Sequence, residues 1–168
     1  AKGIIVNEGV EHVSVRKVAD IAGYSYATIY NYFTDLNELL WDVKGLMIKD
    51  LIEYIREKMH QPSYDAEGIK KLFRMYIEYY FRNPNVFKFF YLYPQTRPDK
   101  YTRDEQTEHD YAMMWGETFK GFVLEGKLKK KDIKIVAKIF IYAMHGMLTL
   151  SFSNNGDLTE ENVYKDLD

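Results

Sequence analysis

The chain of 168 residues is predicted to be all-α. Apolar residues recur at three- and four-residue spacing along most of it, the period of a helix with one buried face. Ser, Thr or Asp precedes several of these stretches and Gly, Asn or Pro follows them, the residues that cap and stop helices. Only Val86–Tyr93 (VFKFFYLY) could alternate as a strand, and no second strand candidate exists to pair with it.

Ala1 to Asn7 is the first apolar stretch, ended by Glu8-Gly9, and Val10 and Val13 bracket a short connection. The chain begins at Ala1 inside this helix, and an arm before it is expected. Ser14 is placed to cap a second helix whose Val15, Val18, Ala19 and Ala22 form one buried face, and Gly23 ends it. Ser25 opens a third helix through Phe33, with Ala27, Ile29, Tyr30 and Phe33 as its apolar positions. Asp35, with Glu38 three residues on, forms a capping box for a long helix from Leu36 to about His60. Leu39, Leu40, Val43, Leu46, Met47, Asp50, Leu51 and Tyr54 make its stripe, and Gln61-Pro62-Ser63 stops it.

Ala66 to Arg82 follows as a helix with Ile69, Leu72, Phe73, Tyr76, Ile77 and Tyr80 on its apolar side. Asn83-Pro84-Asn85 breaks it. Val86–Tyr93, apolar nearly all round, is expected to be buried, and Pro94 to Pro98 to be a loop. A helix is expected from about Tyr101 to Glu125, then a solvated basic turn (GKLKKKDIK, 126–134), then a helix from an Asp132 cap to about Phe152. Asn154-Asn155-Gly156 ends that helix and Thr159 opens a last short one. The 135–152 run reaches the length of a membrane span, but Lys138, His145 and its amphipathic pattern favour a buried helix.

Composition narrows the function. Apolar residues make up 46% of the chain, ample for a packed core, and the net charge of −2 announces no nucleic-acid partner. Cysteine is absent, which removes disulfides and thiolate metal sites and is compatible with a cytoplasmic location. Up to Gly45 there are four basic residues (Lys2, Arg16, Lys17, Lys44) against six acidic ones (Glu8, Glu11, Asp20, Asp35, Glu38, Asp42). No phosphate loop, nucleophile elbow or convincing catalytic group is present, and no cofactor is expected. Glu105, Glu108 and His109 lie within a helical turn but lack the second copy a di-iron bundle needs. An α-helical enzyme would depend on His109 or His145.

Two helices joined by a short glycine turn make a helix-turn-helix, whose second helix enters the major groove. By spacing alone the pattern is equally a plain helical hairpin. Residue placement favours the first reading. The outward positions hold Ser25, Tyr26, Thr28, Asn31 and Tyr32, side chains suited to phosphates and base edges, where a solvated face would carry Lys and Glu.

The stretch VRKVADIAGYSYATIYNYFTDLNELL resembles the DNA-binding signature of the TetR family of bacterial transcriptional regulators. Ile21-Ala22-Gly23, Ser25, Thr28, Tyr30, Tyr32-Phe33 and Glu38-Leu39-Leu40 match in place, and Asn7-Glu8-Gly9 resembles the family's turn after its first helix. Carried over by position, phosphate contacts are implied for Ser14, Tyr30 and Tyr32, and base reading for Arg16, Ser25, Tyr26, Ala27, Thr28 and Asn31. Tyr24 departs from the family's small aliphatic turn residue. Tyr26 and Ala27 stand where Lys and Gly are common, and Leu36 where a phosphate-binding Lys is frequent.

The resemblance implies a helix-turn-helix DNA-binding domain (1–45) joined to a helical ligand-binding and dimerisation domain (46–168). The implied function is that of a ligand-responsive repressor that binds a pseudo-palindromic DNA duplex as a homodimer. The 132–152 helix is apolar on two faces and calls for a second partner, and a homodimer is the economical answer. Phe119, Phe122, Ile139, Tyr142, Ala143, Gly146, Met147 and Leu150 are its expected contacts. The aromatic and Met excess suggests a pocket for a small hydrophobic or aromatic ligand, with Tyr76, Tyr80, Phe87, Phe90, Tyr111, Met114, Trp115, Phe119, Tyr142 and His145 as its wall. No membrane partner is expected. The alternative is a helical ligand-binding or scaffold protein without DNA binding, which the acidic tally and Leu36 favour.

Overall fold

The computed structural model describes residues 1–58, 65–100, 118–153 and 158–167. Every regular element among them is helical. They belong to two compact units, Ala1–Glu53 with Asn83–Arg103, and Tyr54–Arg82 with Asp104–Asp168. The first unit therefore takes in a segment that the sequence reading assigned to the C-terminal body.

In the first unit α1 spans Lys2–Glu8, a single 3₁₀ turn follows at Val10–His12, and α2 spans Val15–Ala22. Ser14 caps α2 as expected, its Oγ accepting the Lys17 amide proton at 3.2 Å. Gly23 stops it in the left-handed conformation (φ 70°). The Tyr24 N–H reaches back to the Ala19 carbonyl at 3.0 Å and the Gly23 N–H to that of Asp20 at 3.3 Å, which satisfies two carbonyls at the helix end. Helix α3 is shorter than expected, Tyr26–Tyr30. Helix α4 runs Leu36–Lys58, and the boundary between the units falls within it.

The core here is Val15, Ala19, Ile29 and Leu39, with Ala1, Val18, Phe33, Leu36 and Val43 packed around it. Ala22 at the end of α2 and Ala27 and Tyr30 of α3 were expected to face inward and are exposed instead, and α3 buries Ile29 alone. Leu46 is exposed too, since it lies one residue, about 100° of rotation, before the buried Met47.

The capping box differs in detail from its pattern. The Glu38 N–H donates to Asp35 Oδ1 at 2.8 Å, but the Glu38 carboxylate accepts from the Thr34 N–H at 2.6 Å, one residue further back than expected. That carboxylate is buried and ion-paired with Lys100.

Helix α6, Pro84–Phe87, continues as a π-helical turn, Lys88–Leu92, closed by the Tyr93 N–H on the Lys88 carbonyl at 2.8 Å. Val86, Phe87, Phe89 and Phe90 are buried, but Lys88, Tyr91 and Leu92 are exposed, so this stretch is not buried all round. It packs on α1, where the Asn85 side-chain amide donates to the Val6 carbonyl at 3.1 Å. Lys44 Nζ donates to the Phe90 carbonyl at 3.0 Å, and burial lowers the pKa of that ammonium. Asn37 binds both backbone groups of Thr96, at 2.7 and 3.2 Å.

In the second unit α5 occupies Ala66–Arg82, as the sequence predicts, and Ile69, Leu72, Phe73, Tyr76, Ile77 and Tyr80 are all buried. Its cap is Asp65, whose Oδ1 accepts the Gly68 N–H at 2.9 Å. Helix α7 is Lys120–Leu124, α8 is Ile133–Phe152 and α9 is Glu160–Asp166. Asp132 stands before α8 but gives it no side-chain hydrogen bond, because the residue belongs to a 3₁₀ turn (Lys130–Asp132). Thr159 caps α9 through the Asn162 N–H at 3.2 Å.

Helix α8 packs on α5 through the buried Ala137, Met144 and Leu148, and the Phe140 ring lies 4.9 Å from that of Phe73. By length and composition alone the Lys130–Phe152 segment could cross a membrane. Its packing on α5, its exposed Lys134 and Lys138 and its half-buried His145 are those of an amphipathic core helix. The expected stop at 61–63, most of the expected 101–125 helix and the Asn154-Asn155-Gly156 terminator lie outside the described residues.

Candidate nucleic-acid interface

Charge is scarce on the α2–turn–α3 surface, and three of the four basic residues up to Gly45 are already engaged. Lys2 pairs with Asp50 at 2.6 Å, Lys17 pairs with Glu8 at 2.7 Å, and Lys44 is held on the Phe90 carbonyl. The Lys17 hydrogen bond lowers the Glu8 pKa, which keeps that pair charged over a wider pH range. Arg16 is exposed and, among the described residues, makes no ion pair.

The remaining groups are neutral. Ser25 Oγ accepts the Thr28 N–H at 3.1 Å as the α3 cap, and its hydroxyl meets the Thr28 hydroxyl at 2.7 Å. The hydroxyls of Tyr26 and Tyr30, one helical turn apart, meet at 3.0 Å, with the rings edge to face and centroids 4.8 Å apart. That hydrogen bond, then partial desolvation, raises the Tyr30 pKa, so its hydroxyl stays protonated and able to donate. Tyr24, Tyr26, Tyr30 and Tyr32 are all exposed, Tyr32 the most at 72%. Asn31 and Ala27 are exposed beside them.

Every residue proposed from sequence for DNA contact thus lies at the surface or half-buried: Ser14, Arg16, Ser25, Tyr26, Ala27, Tyr30, Asn31 and Tyr32 are exposed and Thr28 is intermediate. The family model of the bacterial regulatory proteins of the tetR family matches residues 1–43. Residues 1–43 are thus similar to the N-terminal domain of that family. No curated protein matches the chain. Among solved structures, the chain is similar to the transcriptional regulator FadR from Bacillus subtilis, crystallised with stearoyl-CoA, at 18% identity and a TM-score of 0.73 over 99% of this chain and 93% of that one. It is likewise similar to the fatty acid degradation regulator FadR from Bacillus halodurans, at 17% identity and a TM-score of 0.65 over 99% and 89% of the two chains. At that identity the likeness is one of fold, and it extends beyond the N-terminal residues.

The residues expected to line a ligand pocket divide between the units. Tyr76, Tyr80, Phe119 and His145 belong to the second unit, with Phe87 and Phe90 in the core of the first. Tyr111, Met114 and Trp115 lie outside the described residues. Tyr76 and Tyr80 stack edge to face at 4.9 Å, and the Tyr76 hydroxyl bonds His145 Nε2 at 2.7 Å. Burial pushes the His145 pKa down to about 4, so the ring is neutral at pH 7. Tyr142, placed in the same wall, is 66% exposed.

Of the expected dimer contacts, Phe119 is buried within its own unit, 6.0 Å from the Phe140 ring, and is not available at the surface. Ile139, Tyr142, Ala143, Gly146 and Leu150 are exposed along α8, with Ile135 in the same stripe, while Phe122 and Met147 are half-buried. Among the described residues no group of three or more His, Asp or Glu could hold a metal ion. Sequence reasoning missed Asn37 and Lys44. Their partners, Thr96 and the Phe90 carbonyl, are 59 and 46 residues away, and no local pattern marks them.

Proposed function

We propose that the chain is a dimeric, ligand-responsive transcriptional repressor that reads a pseudo-palindromic operator with helix α3 of each protomer. The supporting observation is the α2–turn–α3 surface, where Arg16, without an ion pair among the described residues, and Tyr26, Tyr30 and Asn31 are all exposed within the segment that the family model matches. In that geometry two α3 helices enter major grooves about 34 Å apart. The exposed apolar stripe Ile135, Ile139, Tyr142 and Leu150 of α8 supports a two-fold interface, with Ala143 and Gly146 allowing close approach. Such a regulator works in the cytoplasm on duplex DNA.

The ligand is a small hydrophobic molecule taken up by the second unit, where Tyr76, Tyr80 and His145 offer an aromatic wall with one polar pair. A long-chain acyl-CoA is the first to try, because the similar Bacillus subtilis structure holds stearoyl-CoA. Gel-shift titrations of wild type, Tyr30→Ala and Thr28→Ala test the DNA reading. Tyr30→Ala weakens binding across sequences, and Thr28→Ala weakens it at particular base pairs. Unchanged affinity in both folded variants removes the assignment. Stearoyl-CoA at micromolar concentration releases the wild-type complex.

A second reading, a helical ligand-binding protein without DNA binding, draws on the engagement of Lys2, Lys17 and Lys44 within the fold. It predicts DNA affinity that is weak and independent of sequence, where the repressor prefers one duplex strongly.

A further inference from the structure

Hydrogen bonds internal to the domain use up much of the donor capacity of the proposed reading surface. Ser25 and Thr28 pair their hydroxyls at 2.7 Å, and Tyr26 and Tyr30 pair theirs at 3.0 Å. Each hydroxyl has one proton, so each pair retains a single free donor. One free donor suits a phosphate oxygen, but distinguishing a base pair by hydrogen bonds takes a bidentate group. Among the exposed residues of α3 and its C-cap, only Asn31 is one, and its amide matches adenine.

The rest of that face is carbon. The Tyr26 ring is 51% exposed and is held against Tyr30 by both the hydroxyl bond and the edge-to-face contact. Next to it the methyl group of Ala27 is exposed, in the first turn of the helix. The base-edge feature in the major groove that carbon can recognise is the 5-methyl group of thymine. We propose that Tyr26 and Ala27 are specificity-determining residues that read thymine methyl groups, so that the half-site under α3 is rich in A·T pairs. The proposal rests on the DNA-binding reading and names what that site recognises.

The test uses duplexes that differ only in that methyl group. The full-length chain is used to enrich binders from a randomised duplex pool. The enriched duplex is then synthesised twice, once with thymine and once with uracil at every thymine position, and both are titrated. Loss of one buried methyl weakens binding about fourfold, so one contact per half-site gives about 15-fold in a dimer. Tyr26→Phe, which keeps the ring, retains the thymine-to-uracil ratio even where absolute affinity falls, Tyr26→Ala lowers it, and Tyr26→Ala combined with Ala27→Gly brings it close to one. Equal affinity for the two duplexes, with sequence preference intact, overturns the thymine reading and leaves the DNA-binding reading standing. Failure to enrich any duplex overturns both.

Discussion

Arg16 is the residue on which the electrostatics of the proposed DNA interface rest, because the other basic side chains up to Gly45 are held by Asp50, Glu8 and the Phe90 carbonyl. Its removal has a signature that neutral contacts lack. Arg16→Ala lowers the slope of log affinity against log salt by about 1 per protomer, measured by titration between low and moderate salt. An unchanged slope would assign the phosphate contacts elsewhere. His145 makes a second residue-scale prediction. Its folded pKa of about 4 lies below the ordinary value of 6.5, so below pH 6.5 the unfolded chain takes up a proton that the folded chain refuses. Stability is unaffected by this group above pH 6.5 and falls as pH drops from there toward 4. Thermal unfolding followed across that range shows the fall in wild type and a smaller one in His145→Gln. At this scale the sequence was legible for most helix caps, Asp132 being an exception. Ser14, Ser25, Asp35 and Thr159 cap as read, because a cap and its target lie three residues apart. The burial of Lys44 was not legible, since the segment that covers it arrives 46 residues later.

Among the elements, α5 was fully legible and α3 was not, for a physical reason. All six predicted apolar positions of α5 lie on one face and are buried, so periodicity and burial agree. In α3 the apolar side chains other than Ile29 are on the outside, where the proposed partner is DNA, and periodicity overestimated both its length and its burial. The turn that aims α3 depends on Gly23. Nothing lies within 4 Å of where a Cβ would stand there, so Gly23→Ala meets only backbone strain at φ 70°. Urea unfolding should register a loss of about 1 kcal/mol, with Gly23→Asn losing less, because Asn tolerates the left-handed region. A loss of several kcal/mol would mean that the turn is packed more tightly than its geometry indicates.

For the whole molecule, the exposed stripe of α8 carries the oligomerisation reading. Ile139→Asp with Leu150→Asp places two charges where two apolar faces would meet, and sedimentation should show monomers at concentrations where wild type is dimeric. Operator affinity then drops by orders of magnitude, because each half-site is bound alone. Variants that remain dimeric would move the interface to another face. The division of the described residues into two compact units is not marked by any local pattern. A helix-turn-helix signature ends near residue 45, and nothing local says that Asn83–Arg103 will be needed to complete the same unit.

That interruption has a consequence for the order of events during synthesis. The chain leaves its first unit after Glu53 and returns to it at Asn83. Val86, Phe87, Phe89 and Phe90, all buried there, and the partners of Asn37, Asn85 and Lys44 are joined only on that return. On the ribosome, a chain made as far as Glu53 has the whole proposed reading surface but not the segment that completes its unit. That unit therefore matures only after the segment Asn83–Arg103 has emerged, at the 5–20 residues per second typical of translation. The same interruption bears on protein engineering: a chimera with one junction after residue 53 would leave that unit without its second segment, and grafting it intact takes at least two junctions.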